Sequence, residues 1–276
     1  MSAISAICIR NEEVDYLFLA TDSVSVRNEE ILKDGFMLPE RLHSLSSKNI
    51  YIPHIKTSVA ALGSVWISKK IHDFIDRARL LENMDDLILA IRLGFHDYYK
   101  EEAEVINFGV DKKNEDFLGA IIISGVSYYL DGRKTENKRA RPLLMSRRFM
   151  VYKSNVKDCG WINTESDNYN DTNMMDWHHP AIPNDLKEEI YSRNEEIMNQ
   201  DFHTGALAIL RDKLILSNQI YNHSGRTTMV TAGEIHATIM RLNKSDKFGE
   251  GLTVSHIMIH RFEDFEEVKD EMREGK

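Results

Sequence analysis

Cysteine is nearly absent, with only Cys8 and Cys159 in 276 residues. Two thiols make neither a disulfide framework nor a thiolate zinc site, and Cys8, inside an apolar strand, reads as a packed side chain. Prolines number five, and no Pro-, Gly- or Ser-rich linker and no internal repeat divides the chain, so one domain over 1–276 is expected. Long apolar runs are missing as well. None approaches the roughly 20 residues needed to cross a bilayer, and Met1 to Glu13 lacks the basic start of a signal peptide, so no membrane partner and a cytoplasmic location are expected. A surplus of positive charge is also lacking: Lys and Arg total 35 against 44 Asp and Glu, a net charge of −9. That balance argues against nucleic acid as the main partner. The one dense basic segment, Arg133, Lys134, Lys138, Arg139, Arg141, Arg147 and Arg148, reads as a solvated loop between strands. No nucleotide-binding glycine fingerprint and no serine elbow occurs, so kinase, dinucleotide and α/β-hydrolase chemistry find no support and no cofactor is expected.

What is present is a 42% hydrophobic content, enough for a sizeable core, arranged in two kinds of period. Ala3 to Ile9 and Tyr16 to Ala20 are apolar on both faces around the polar turn Asn11 to Asp15, which predicts a hairpin of buried strands. A polar loop through Ser47 follows. Asn49 to Ile52 and Thr57 to Leu62 predict a second hairpin around Pro53-His54, ending at the turn Gly63-Ser64. Helical spacing then takes over. Ile67, Ile71, Phe74, Ile75 and Ala78 form one apolar stripe, and Leu87, Ile88, Ile91, Phe95 and Tyr99 form another behind an acidic start at Asp85-Asp86.

Strand signals return at Phe117 to Ser124, Ser127 to Leu130 and Phe149 to Tyr152. Residues 153–183 are rich in Asn, Asp and Ser without a period and read as a long loop or lid, part of a divergent insertion over about 131–183. Asn184 or Asp185 is expected to cap a helix carrying Leu186, Ile190, Ile197 and Met198. Gly205 to Leu210 and Leu214 to Tyr221 read as a further hairpin. Thr231 to Glu234 has capping-box spacing, which predicts a short helix through Ile235, Ile239 and Met240. A last strand over Thr253 to Phe262 precedes an acidic tail at about 263–276. Strands apolar on both faces need cover on both. The expected fold is therefore α+β, two antiparallel sheets flanked by helices in a four-layer αββα sandwich.

Certain strings in this order resemble the N-terminal-nucleophile hydrolases, in particular proteasome β-subunits and HslV. Tyr16-Leu-Phe-Leu-Ala-Thr-Asp22-Ser23 resembles the family's second strand, which ends in an aspartate. Lys48 and Gly63, fifteen residues apart with Ala60-Ala61-Leu62-Gly63-Ser64 at the turn, resemble the lysine that begins the third strand and the glycine that closes the fourth. Asp201-Phe202-His203-Thr204-Gly205 is similar to the family's late Asp-X-X-Ser-Gly, with Thr for Ser. The resemblance covers residues 2–100 and 184–221 and is poor across 131–183.

The resemblance implies a hydrolase of amide or peptide bonds whose nucleophile is the first residue of the mature chain, its hydroxyl losing a proton to its own α-amine or a bridging water. It implies that Lys48 supplies positive charge favouring the deprotonated hydroxyl, that Asp22 holds Lys48, and that Gly63 donates a backbone N–H to the oxyanion. Asp201 and Thr204 would orient the nucleophile's amine. For the nucleophile the chain offers Ser2, which needs only removal of Met1 and a longer first hairpin, or Ser5, which fits the usual distance to the aspartate and needs removal of Met1 to Ile4. The family also implies a homo-oligomer or ring, and includes inactive subunits that serve assembly; that is the alternative function. Asp176-Trp177-His178-His179 carries metal-ligating types, but neighbouring strand histidines point to opposite faces, so no metal site is expected.

Overall fold

The computed structural model describes residues 3–11, 13–27, 41–45, 48–63, 74, 80–94, 119–131, 144–157, 160–166, 174–179, 182–223, 233–244 and 251–262. The first hairpin forms as its pattern predicts: β1 (Ile4–Arg10) pairs antiparallel with β2 (Val14–Asp22), from Ile4 opposite Thr21 to Arg10 opposite Asp15. Its double-sided apolar character has a direct cause. Ile4, Ala6, Cys8, Leu17 and Leu19 enter one core, while Ala3, Ile7, Phe18 and Ala20 enter a second on the opposite face. Each fully buried large side chain contributes about 1.5–3 kcal/mol of transfer free energy. Burial pushes the Cys8 thiol up to about 12, so it stays a neutral packing group.

A two-stranded ribbon follows, β3 (Val24–Arg27) with β4 (Arg41–Leu45), in the region the sequence marks only as polar loop. Then come β5 (Asn49–Ile52) and β6 (Thr57–Gly63). The helix α1 spans 84–94, with Asn83 Oδ1 accepting the Asp86 N–H at 2.9 Å, so Asn83 is its cap. The expected helix from Val65 lies outside the described residues except Phe74, which is helical. The long strands β7 (Gly119–Asp131) and β8 (Leu144–Lys157) lead to β9 (Gly160–Ser166) and β10 (Met174–His179). After α2 (Asn184–Gln200) and α3 (Phe202–His223), β11 (Glu234–Asn243) and β12 (Leu252–Arg261) close the described chain.

Two five-stranded sheets result, ordered β10-β1-β2-β11-β12 and β5-β6-β7-β8-β9, and every registered pair is antiparallel. Their facing sides share the core of Ile4, Leu17, Leu19, Ala60, Ile122, Phe149 and Met240. The outer face of the first sheet is covered by Ile190 of α2 and Ala206, Ile209, Leu210 and Leu214 of α3. On the second sheet, Met84 of α1 reaches β7, its sulfur 3.1 Å from where a Cβ on Gly125 would stand.

The sheets are also tied by polar groups. Arg10 and Asp15, opposite each other at the end of the first hairpin, take both backbone groups of Phe149 in β8. Arg10 Nη2 donates to the Phe149 carbonyl at 2.7 Å, and the Phe149 N–H donates to Asp15 Oδ2 at 3.3 Å. The β8–β9 ladder starts only at Tyr152, so the two side chains act as a substitute neighbouring strand. Lys244 pairs with the other Asp15 oxygen at 2.7 Å.

Four expectations are corrected. The hairpin expected over Gly205 to Tyr221 is the helix α3: Ala206, Ile209, Leu210, Lys213, Leu214 and Ser217 are buried at i, i+3, i+4, i+7, i+8 and i+11, a helical stripe. The short helix expected after Thr231 is strand β11, paired at its edges with β2 and β12. Met240 and Leu242 enter the core between the sheets and Ile235, Ala237 and Ile239 the core under the helices, so both faces are buried and the alternation that marks a half-exposed strand is erased. The loop or lid over 153–183 contains the end of β8, β9 and β10. β9 and β10 are edge strands of their sheets, where less apolar surface is required. Asn184 and Asp185 make no side-chain cap, because the cap position falls on Pro183.

Candidate functional site

Four strand ends converge at one end of the sandwich: Ala3 precedes β1, Asp22 ends β2, Lys48 precedes β5 and Gly63 ends β6. Lys48 Nζ lies 2.7 Å from Asp22 Oδ2, with side-chain exposures of 9% and 0%, so the ion pair is largely withdrawn from water. The other carboxylate oxygen, Asp22 Oδ1, accepts the Ala3 N–H at 3.1 Å. Asp22 thus links a buried cation to the backbone at the start of β1. Burial lowers the pKa of the Lys48 ammonium, and the Asp22 charge and hydrogen bond oppose that fall. Asn49 pairs with Ala60, so the register sets Ala61 opposite Lys48 and Gly63 two residues further along the neighbouring strand.

The same rim carries Ser23, whose hydroxyl accepts the Glu234 N–H at 2.9 Å. Glu234 in turn pairs with Arg261 at 2.6 Å and His236 at 2.9 Å. The chain enters β11 through Gly233 at φ 76°, a conformation that favours glycine.

Of the residues singled out in the sequence, the structure brings Asp22 and Lys48 into contact, while Gly63 closes the strand paired with the one that Lys48 precedes. Ser2 lies outside the described residues, joined through its carbonyl to the Ala3 nitrogen. Ser5 sits within β1, fully buried and paired on both sides, with Ala20 and with His178. Its hydroxyl donates to the Trp177 carbonyl at 3.4 Å.

Asp201 and Thr204 are not brought to this end. Asp201 sits between α2 and α3 and caps α3, accepting the His203 N–H at 3.1 Å and the Thr204 hydroxyl. The Thr204 hydrogen bond, ahead of a small opposing effect of burial, lowers the Asp201 pKa. The adjoining Phe202 ring packs on Tyr16 and Phe18 at 4.7 and 6.3 Å. Asp22 lies four residues beyond Phe18, roughly 13 Å along the strand. The expected role for Asp201 and Thr204 beside the nucleophile's amine is therefore corrected to helix capping; the short string matches, but it precedes a helix rather than a strand.

Asp176 and His178 lie in β10 and turn to the helices. Asp176 pairs with Lys213 at 2.5 Å and Lys187 at 2.8 Å, and His178 Nε2 is 2.7 Å from the Ser217 hydroxyl. Ser217 donates to the Lys213 carbonyl at 2.9 Å, so its own proton is committed to the helix. Among the described residues no cluster of three metal-ligating side chains forms.

Sequence reading missed the polar chain beside Lys48. The Ser58 hydroxyl donates to Asn49 Oδ1 at 2.5 Å, the Asn49 amide donates to the Thr238 hydroxyl, and that hydroxyl is 2.8 Å from His256 Nδ1. The available signal was the presence of Asn49, Ser58 and Thr238 inside strands otherwise fit for a core.

No known protein family matches the chain, and no curated protein matches it in sequence. Among solved structures it is similar to Anbu (ancestral beta-subunit) from Yersinia bercovieri, at 14% identity over 98% of this chain and 94% of that one, with a TM-score of 0.39. It is also similar to eukaryotic HslV from Trypanosoma brucei, at 11% identity over 87% of this chain and 99% of that one, with a TM-score of 0.32. No helix among the described residues is long and apolar enough to cross a membrane.

Proposed function

We propose that the chain is an N-terminal serine hydrolase of amide or peptide bonds, built on a four-layer αββα sandwich, with Ser2 as nucleophile once Met1 is removed. One observation carries the reading: a carboxylate that holds a buried lysine through one oxygen and the Ala3 N–H, the peptide bond to Ser2, through the other. Ser5 is disfavoured by the same geometry. Exposing its amine would delete Ala3 and Ile4, both fully buried, and break the start of β1.

In the proposed reaction the Ser2 hydroxyl gives its proton to its own α-amine, whose ordinary pKa of about 7.7–8.0 suits a base near neutrality. Lys48, held by Asp22, favours the resulting oxyanion nucleophile. The oxygen adds to the carbonyl carbon, and an N–H at Gly63 stabilises the tetrahedral oxyanion, a contribution of about 3–4 kcal/mol for such donors. The amine leaves with the proton, and water then releases the acid from the Ser2 ester. The same proposal includes assembly into a homo-oligomer or ring in the cytoplasm.

The test begins with the intact mass of protein from its native cells, followed by turnover of a fluorogenic peptide and amide panel. Removal of Met1, with activity abolished in Ser2→Ala, is the expected result. Retained Met1 in every molecule, or a Ser2→Ala variant of undiminished activity, overturns it, and a folded, inactive Met1 form points instead to an assembly role.

A further inference from the structure

We propose that Asn49 and Thr238 form a positioning bridge that sets Lys48 against Asp22, a deepening that rests on the reading of this pair as the reactive centre. The need for a bridge follows from the strands. Lys48 stands just before β5, a strand of four residues at the edge of its sheet and paired with β6 alone. Asp22 ends a strand of the opposite sheet, held between β1 and β11. Four ladder pairs at a sheet edge resist sliding weakly, so the relative height of the two sheets at this end requires a separate constraint.

Asn49 supplies it. Its carboxamide, 6% exposed as a residue, accepts from Ser58 on its own sheet and donates to Thr238 on the other. Thr238, 2% exposed, lies in β11, opposite Leu19 of β2 and His256 of β12. The bridge therefore runs from the residue bonded to Lys48 into the strand hydrogen-bonded to the one that carries Asp22. Two polar groups that meet inside an apolar layer have few alternative partners, so the contact is directional in a way that the surrounding aliphatic packing is not. A shift of one residue between the sheets would leave both groups buried without each other and would carry Lys48 about 3 Å along its strand. Charge-paired contact at 2.7 Å does not survive such a displacement.

Thr238 gives the clean test because it lies in β11, on a different strand from both Lys48 and Asp22, and can lose its hydroxyl without losing volume. In protein labelled with 13C at lysine, the Lys48 Cε resonance is titrated in the native chain, in Thr238→Val and in Thr238→Ser. Thr238→Val is expected to lower the Lys48 midpoint by half a pH unit or more, because a displaced Lys48 loses the Asp22 charge and hydrogen bond that oppose the effect of burial. Thr238→Ser, which keeps the hydroxyl, is expected to titrate as the native chain does. A Thr238→Val variant that is less stable yet titrates Lys48 at the native midpoint overturns the proposal and leaves Thr238 a packing residue. If Thr238→Val does not fold, Thr238→Ala, which also lacks the hydroxyl and adds no charge, is read in the same way; a native midpoint there overturns the bridge too. The readout needs no substrate, so failure of the hydrolase reading shows as absent turnover with the midpoint shift intact, whereas failure of the bridge shows as turnover with no shift.

Discussion

Lys48 and Asp22 meet across the gap between the two sheets, a cation from one and a carboxylate from the other, 2.7 Å apart and almost closed to water. Such a pair is costly to break from one side, because the surviving charge stays buried; losses of about 3–5 kcal/mol are typical. Asp22→Asn keeps an acceptor for the Ala3 N–H but abandons the Lys48 charge. Urea denaturation is expected to show a loss of that order at pH 6 to 7 that shrinks as pH rises, since a buried Lys48 that has lost the Asp22 charge is relieved by giving up its proton. A loss independent of pH would mean that Lys48 finds another partner. Adding Lys48→Met to Asp22→Asn is expected to recover most of the deficit.

The Arg10–Asp15 clamp predicts a local effect. Phe149 has both backbone groups held by these side chains rather than by a strand. Asp15→Leu removes the acceptor of the Phe149 N–H and the partner of Lys244, which is partly exposed, so a global cost of about 1–3 kcal/mol is expected. The Phe149 amide should exchange with solvent at least tenfold faster, while the Ile122 amide in the shared core changes only with global stability. Equal acceleration at both amides would show that the clamp has no local role.

Legibility in the sequence followed the number of faces each element buries. β1 and β2 were readable because a polar turn punctuates two short apolar runs, and Lys48 and Gly63 stand out at the ends of a hairpin of the same kind. β11 was not, since its two buried faces leave Ile235, Ala237, Ile239 and Met240 consistent with either period. α3 was mistaken for strands because Arg211, Asp212 and Lys213 interrupt its apolar residues like a turn. In space Asp212 pairs with Arg193 at 2.9 Å and Lys213 is buried against Asp176, partners that no local pattern reveals. Asp201 shows the opposite failure, a readable string whose place over Tyr16 and Phe18 is set by helix packing.

Gly205 predicts how closely α2 and α3 must approach. A Cβ there would stand 2.6 Å from Met198 Cγ and 2.7 Å from Met198 Cα. The side chain can turn away, but the backbone atom can move only if the helices part. Gly205→Ala is therefore expected to destabilise by about 1–3 kcal/mol despite the better helix propensity of alanine. A gain in stability, read from thermal or urea unfolding, would mean that the helices separate at little cost.

Lys213 makes a prediction in pH. It is fully buried, and that burial lowers its ammonium pKa to about 8 against the opposing pull of Asp176, whose contact is 2.5 Å. In the unfolded chain the same group returns toward 10.5. Between these values the unfolded chain holds more protons than the native one, so stability rises with pH, by up to about 1.4 kcal/mol per unit from this group alone. Burial raises the Tyr191 hydroxyl pKa, which makes the native state lose stability once pH passes about 10, so the informative window is about pH 8 to 9.5. Lys48 is shifted in the same direction as Lys213 and contributes to the same slope. The difference between native protein and Lys213→Met isolates the residue. Asp176 keeps Lys187 at 2.8 Å in that variant and so is not abandoned. Urea denaturation across the window is expected to give a rising stability in the native protein and a slope smaller by about 1 kcal/mol per pH unit in Lys213→Met; equal slopes would mean that Lys213 remains protonated throughout.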